Sequence, residues 1–154
     1  MINNDVLRSF RYMHGFSDTK MREIAALGEA SVTAEEMSAY LKNEDEAGFI
    51  ECPQNVMARF LNGIIYFKRG RDHTRPALQA DLPTNNVVLK KLRVAYELKD
   101  DDIVAILQSV DFRVSKPEVN ALFRRDDHPN FRVCGDQILR NFLRGLTARV
   151  LHKE

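Results

Sequence analysis

The sequence has almost no net charge: twenty-three basic residues stand against twenty-two acidic ones in 154, leaving +1. Such a balance supplies no global electrostatic drive toward nucleic acid or an anionic membrane, so binding of either kind would have to rest on a local patch. No apolar run approaches the roughly 18 residues that a membrane span needs. The opening MINNDVLRSF has neither a charged leader ahead of an apolar core nor a cleavage-site pattern. A soluble cytoplasmic protein is the expectation. Cysteine is scarce, and Cys52 and Cys134 without a secretory signal do not make a disulfide framework. There is no CxxC, and His14, His73, His128 and His152 show no ligand spacing. No serine–histidine–carboxylate arrangement, phosphate-cradling glycine loop or dinucleotide fingerprint is present. The reading therefore leans away from an enzyme, and it assigns no cofactor and no metal.

What the chain does contain is one unit written twice. Sliding the sequence by 82 positions lays Asn3, Asn4, Asp5, Val6 and Leu7 on Asn85, Asn86, Val87, Val88 and Leu89, and the match then runs on without a gap. Identical pairs include Arg11 and Arg93, Asp18 and Asp100, Ile24 and Ile106, Glu36 and Glu118, Cys52 and Cys134, Phe60 and Phe142, and Gly63 and Gly145. Apolar and capping residues agree at the same offset, which identifies a tandem duplication.

Each copy reads as four helices, because apolar positions recur at spacings of three and four and nothing alternates for long with period two. Val6, Leu7, Phe10 and Met13 make one face of the first helix, answered by Val88, Leu89, Leu92 and Ala95, with an asparagine able to cap each start. Second helices are expected from Asp18 and Asp100, whose carboxylates can accept from free backbone N–H groups. Thr33-Ala-Glu-Glu36 and Ser115-Lys-Pro-Glu118 are capping boxes that open the third. The fourth starts near Pro53 or Asp136 and is the most apolar segment of each copy. Between the copies GRDHTRPALQADLPT has two prolines and no sustained helical face, a linker. The division is a first repeat over 1–69, a linker over 70–84 and a second repeat over 85–154.

Four helices in so short a segment bury little core alone, so the two copies are expected to pack as one all-α, pseudo-two-fold globule. Gly63 and Gly145 each cost a helix about 1 kcal/mol relative to alanine, a cost that close approach of another backbone can offset. The expectation drawn from this is that the two glycine-bearing fourth helices cross near the pseudo-axis.

The segments NNDVLRSFRY, TAEEMSAYLK, the acidic EDE or DDH joint ahead of a phenylalanine, the cysteine, and FLNGIIYFKRG together resemble the YehS-like family of bacterial proteins. That family consists of two copies of one short domain, and the resemblance covers essentially the whole chain. It implies the two-repeat helical architecture and brings no catalytic residues to carry over. After Gly145 the second copy reads LTARVLHKE where the first has IIYFKRG, so the basic tail is not repeated.

Candidate chemistry is local. Helices two and three of each copy have the outline of a helix-turn-helix, yet the positions that would enter a major groove carry Thr33-Ala-Glu-Glu-Met or Ser115-Lys-Pro-Glu-Val; glutamates repel phosphates, and only Lys42, Arg124 and Arg125 at the far end help. The acidic joints Glu44-Asp45-Glu46 and Asp126-Asp127-His128 offer oxygen ligands but lack the alternating spacing and glycine of a calcium loop. Cys52 and Cys134 precede a helix that could lower a thiol pKa, while free cysteine is commonly plain core. Arg11 and Arg93 could meet an anionic ligand or pair with Glu36 and Glu118. Lys68, Arg69 and Gly70 are what a helix C-terminus calls for. Arg71, His73 and Arg75 lie beyond that explanation. The resulting expectation is a small helical binding or adaptor protein, with a regulatory role open to it, whose partner is another protein. The alternative is nucleic-acid binding through the helical hairpins and the basic linker.

Overall fold

In the computed structural model, eight α-helices and no strand form among the described residues 1–153; residue 154, the last of the second copy, lies outside them. The helices are α1 (Asn3–His14), α2 (Asp18–Leu27), α3 (Ala34–Tyr40), α4 (Gln54–Arg69), α5 (Asn85–Ala95), α6 (Asp100–Gln108), α7 (Lys116–Leu122) and α8 (Asp136–Lys153). Each helix of the second half begins where the duplication puts it: Asn3 is answered by Asn85, Asp18 by Asp100, Ala34 by Lys116 and Gln54 by Asp136. The correspondence extends to backbone that L-residues rarely adopt. Gly15 and its counterpart Glu97 take left-handed φ values of 65° and 54°, and Glu29 and its counterpart Asp111 take 67° and 61°.

Local chemistry accounts for the helix starts. Thr33 and Ser115 accept from the backbone N–H of Glu36 and Glu118, and those carboxylates accept in return, so both capping boxes close. The first helices depart from the expected asparagine caps. The Asp5 carboxylate accepts from the Ile2 N–H ahead of α1, and the Thr84 hydroxyl caps α5. The asparagines are drawn inward instead. Buried Asn4 donates to the Tyr40 and Ile50 carbonyls, both at 2.9 Å, and accepts from the Cys52 N–H. Asn86 repeats the pattern on Leu122, Arg132 and Cys134. Each thus fastens the first helix of its half to the segment joining the third and fourth. The second helices are likewise capped by neighbours, Ser17 on Lys20 N–H and Asp102 on Lys99 N–H, and Asp18 and Asp100 turn toward arginines.

Within each half the second helix packs on the fourth and the third, and across the halves α4 packs on α5 while α8 packs on α1. These are one contact made twice, since the pseudo-two-fold exchanges α1 with α5 and α4 with α8. The axis passes where His14 meets its own counterpart: His14 Nε2 and Tyr96 Oη are 2.6 Å apart and the rings stack. A single apolar core runs through both halves, from Phe10 and Phe60 to Leu89 and Phe142.

The expected crossing of the two glycine-bearing helices is not what forms. A Cβ on Gly63 would stand 2.1 Å from the Ile24 carbonyl oxygen of α2, and one on Gly145 would stand 2.4 Å from the Ile106 oxygen of α6. Close backbone approach is therefore the reason for both glycines, but the approaching backbone belongs to the same half. With that face taken by the second helix, each fourth helix meets the other half through the opposite repeat's first helix, and α4 and α8 make no comparable contact with each other.

Candidate functional site

The reciprocal packing creates two equivalent grooves, and the chain treats them differently. Over the α4·α5 groove runs the linker. Asn62 donates its side-chain amide to the carbonyls of Leu78 and Gln79 at 3.3 and 3.0 Å, Lys91 Nζ donates to Gln79 O at 3.1 Å, and the Leu78 N–H donates to Tyr66 Oη at 2.8 Å. Lys91 and Asn62 are joined directly at 2.7 Å, and Asp81 of the linker stands 3.6 Å from the same ammonium. Beneath this strap Asn62 is 3% and Lys91 8% exposed. Burial lowers the Lys91 pKa, while the Asp81 carboxylate acts in the opposite sense.

Among the described residues no strap crosses the α1·α8 groove. It is a cleft of about 690 Å³ lined by α1, α8 and Met1 alone. At the positions equivalent to Asn62, Tyr66 and Lys91 stand Arg144, Ala148 and Ser9, and all three line the cleft. Tyr12 and Leu151, the counterparts of Val94 and Arg69, are 71% and 45% exposed on it. Of its cations, Arg8 is tied to Asp5 and to the Lys42 carbonyl, whereas Arg140 and Arg144 are exposed, with Arg144 donating to the neutral amide oxygen of Asn141 at 3.0 Å. Sequence reasoning passed over these residues. The signal was available as the places where the two copies disagree: Lys91 against Ser9, Asn62 against Arg144, and Tyr66 against Ala148.

The basic residues singled out from sequence do not converge on one site. Arg11 lies 3.2 Å from Asp18 and donates to the Phe16 carbonyl, and Arg93 lies 2.7 Å from Asp100 and over the Phe123 ring. Their carboxylate partners are thus the first residues of the second helices rather than Glu36 and Glu118. Lys68 sits 4.8 Å above the Tyr96 ring, and Arg69 donates to Val94 O and approaches Glu97. Arg71 covers Tyr66 and approaches Glu29 at 3.8 Å, and Arg75 approaches Asp72 at 3.6 Å. Arg75 and His73 stay exposed on the linker.

A second cavity, also about 690 Å³, opens at the pseudo-axis beside His14, Phe16, Phe67 and Tyr96. The cations that line it are already engaged, Lys68 by Tyr96 and Arg149 by Asp102 at 3.2 Å. Elsewhere the chemistry is closed in. Burial pushes the Cys52 thiol up to about 12, with Glu51 adding to the effect, and burial pushes Cys134 up to about 11, which disfavours a nucleophilic thiolate. In the acidic joints Glu46 caps the Asn43 N–H, Asp127 pairs with Arg125, and His128 accepts from the Asn130 N–H. No group of three or more His, Cys, Asp or Glu side chains suited to a metal ion occurs among the described residues. The hairpin helices α3 and α7 have seven residues each and present their capping glutamates to solvent.

Comparison with known proteins agrees with the duplicated architecture. The family described as "Protein of unknown function (DUF1456)" matches twice, over residues 3–70 and 85–150, and the chain belongs to it. The chain is 53% identical over 150 residues to the "Uncharacterized protein YehS" of Escherichia coli (strain K12), covering 97% of this chain and 96% of that one. No solved structure matches. No helix among the described residues is long and apolar enough to cross a membrane.

Proposed function

We propose that the protein is a cytoplasmic helical binding or adaptor protein that acts by protein–protein interaction, with its docking surface in the groove between α1 and α8. One observation carries the reading. Two grooves arise from the same duplicated helices, one is crossed by a strap of the chain's own linker, and the other is open with Tyr12 and Leu151 exposed beside arginines. Mixed aromatic, aliphatic and arginine surface is the composition that protein interfaces favour. The closed-in cysteines and the self-capped acidic joints support binding over catalysis. Nucleic-acid binding through the hairpins is the weaker reading, because Glu35 and Glu36 stand exposed at the start of α3 where phosphates would lie.

The test is a native pull-down from nuclease-treated extract with the full chain and with Ala148→Trp, which fills the groove at an exposed position. A protein partner that survives nuclease and is lost with Ala148→Trp is the expected result. Recovery of nucleic acid that washes off at moderate salt, with no such partner, sinks the reading.

A further inference from the structure

The linker strap is a ligand already seated in one of two equivalent grooves, and it indicates what the other one takes. On α4·α5 the strap is held through its main chain: two carbonyls and one N–H are read by Asn62, Lys91 and Tyr66, while Leu78 remains 40% exposed. Recognition of this kind suits an extended segment, whose carbonyls and amides are not consumed by its own secondary structure.

On α1·α8 the same framework carries different groups. Arg144 in place of Asn62 presents a guanidinium with several donors, which serves carbonyls and, better, carboxylates. Ser9 in place of Lys91 supplies a hydroxyl donor where the ammonium stands in the other copy, and Ala148 in place of Tyr66 leaves room where the ring stood. Arg140, in place of Ala58, adds a second exposed cation on the same face of α8. Asp5 in the cleft is occupied by Arg8, and Asp136 at the start of α8 is held by the Met1 ammonium and shares the field of Arg140.

We propose that the α1·α8 groove binds an extended acidic peptide segment of a partner protein. Its main chain lies along Ser9 and Arg144, its carboxylates meet Arg140 and Arg144, and one apolar side chain lodges between Tyr12 and Leu151. The linker of a second copy is a poorer occupant, since its Arg71 and Arg75 balance Asp72 and Asp81 and it is already tied down at Asn62 and Lys91. This inference rests on the protein-interaction reading above.

The experiment is selection of random linear peptides on the full-length protein at about 0.15 M salt, where the attraction between exposed charges is already partly screened. Binding of the winners is then measured by fluorescence anisotropy to the wild-type chain, to Arg140→Glu/Arg144→Glu and to Arg140→Gln/Arg144→Gln. All four substitutions are at exposed positions, and circular dichroism verifies the fold of each variant. The expected winners are rich in Asp and Glu around one aliphatic or aromatic residue. They weaken about tenfold or more with the glutamine pair and further with the glutamate pair. Winners that are basic or purely apolar but still lost on groove substitution overturn the acidic chemistry while leaving the interaction reading intact. If no winners emerge, or if none responds to either pair, both fall.

Discussion

Asn4 and Asn86 show how much a single side chain can organise. Each satisfies three backbone groups, one at the last residue of the third helix and two in the joint ahead of the fourth, and so fastens that joint to the first helix. Truncation leaves those groups without partners beside the core, a loss of roughly 1–3 kcal/mol. Asn4→Ala should lower the urea midpoint by a corresponding amount and Asn86→Ala by less, because Asn86 is half-buried and its bond to the Arg132 carbonyl lies at the surface. The double variant should lose about the sum, because the sites lie in different halves. A midpoint unchanged by Asn4→Ala would remove the fastening role. From sequence the paired asparagines looked like caps, since the residue type suits both uses and only the tertiary path brings the Cys52 and Cys134 amides within reach. The same limit applied to Arg11 and Arg93: their presence on matching faces was legible, but the choice of Asp18 and Asp100 over the capping glutamates depends on how α1 turns into α2.

Helix starts, by contrast, were readable, because capping chemistry is local. Both capping boxes form where the sequence placed them, and Pro117 sits in the first turn of α7. Helix partners were not readable. A glycine in a helix signals close backbone approach without naming the approaching element, and here Gly63 meets Ile24 of α2 and Gly28 just past its end. Adding a methyl group at Gly63 forces that crossing apart, so Gly63→Ala should cost roughly 1–3 kcal/mol or more. Glu97→Gly should move the other way. Glu97 holds the left-handed position that Gly15 occupies in the first copy, and its ion pair with Arg69 is exposed and long at 3.6 Å. Relief of the Cβ strain, less the added freedom of glycine in the unfolded chain, leaves a gain of about 0.5–1 kcal/mol. Thermal unfolding of the two variants side by side measures both, and a destabilised Glu97→Gly would show that the Glu97 side chain matters more than its backbone.

Across the whole molecule, duplication explains both the fold and the candidate site. Two identical small units would give two identical grooves. One linker joins two copies, so it can cover only one groove, and the residues of the two grooves differ accordingly: Asn62 and Lys91 lie buried under the strap, while Arg144 and Ser9 line an open cleft. The duplication was legible as a fixed offset, as was the one-body packing that short repeats require. The unequal grooves were not, because the linker reads as polar punctuation until its carbonyls are seen over α4 and α5. The claim that the open groove is the docking surface is tested most directly by titrating the tightest selected acidic peptide onto isotope-labelled protein and mapping the amide shifts. The account predicts movement at Ser9, Tyr12, Arg144, Ala148 and Leu151, with Lys91, Val94, Asn62 and Tyr66 unmoved. Shifts centred on the strapped groove, the axial cavity or the α2–α3 hairpin would contradict it.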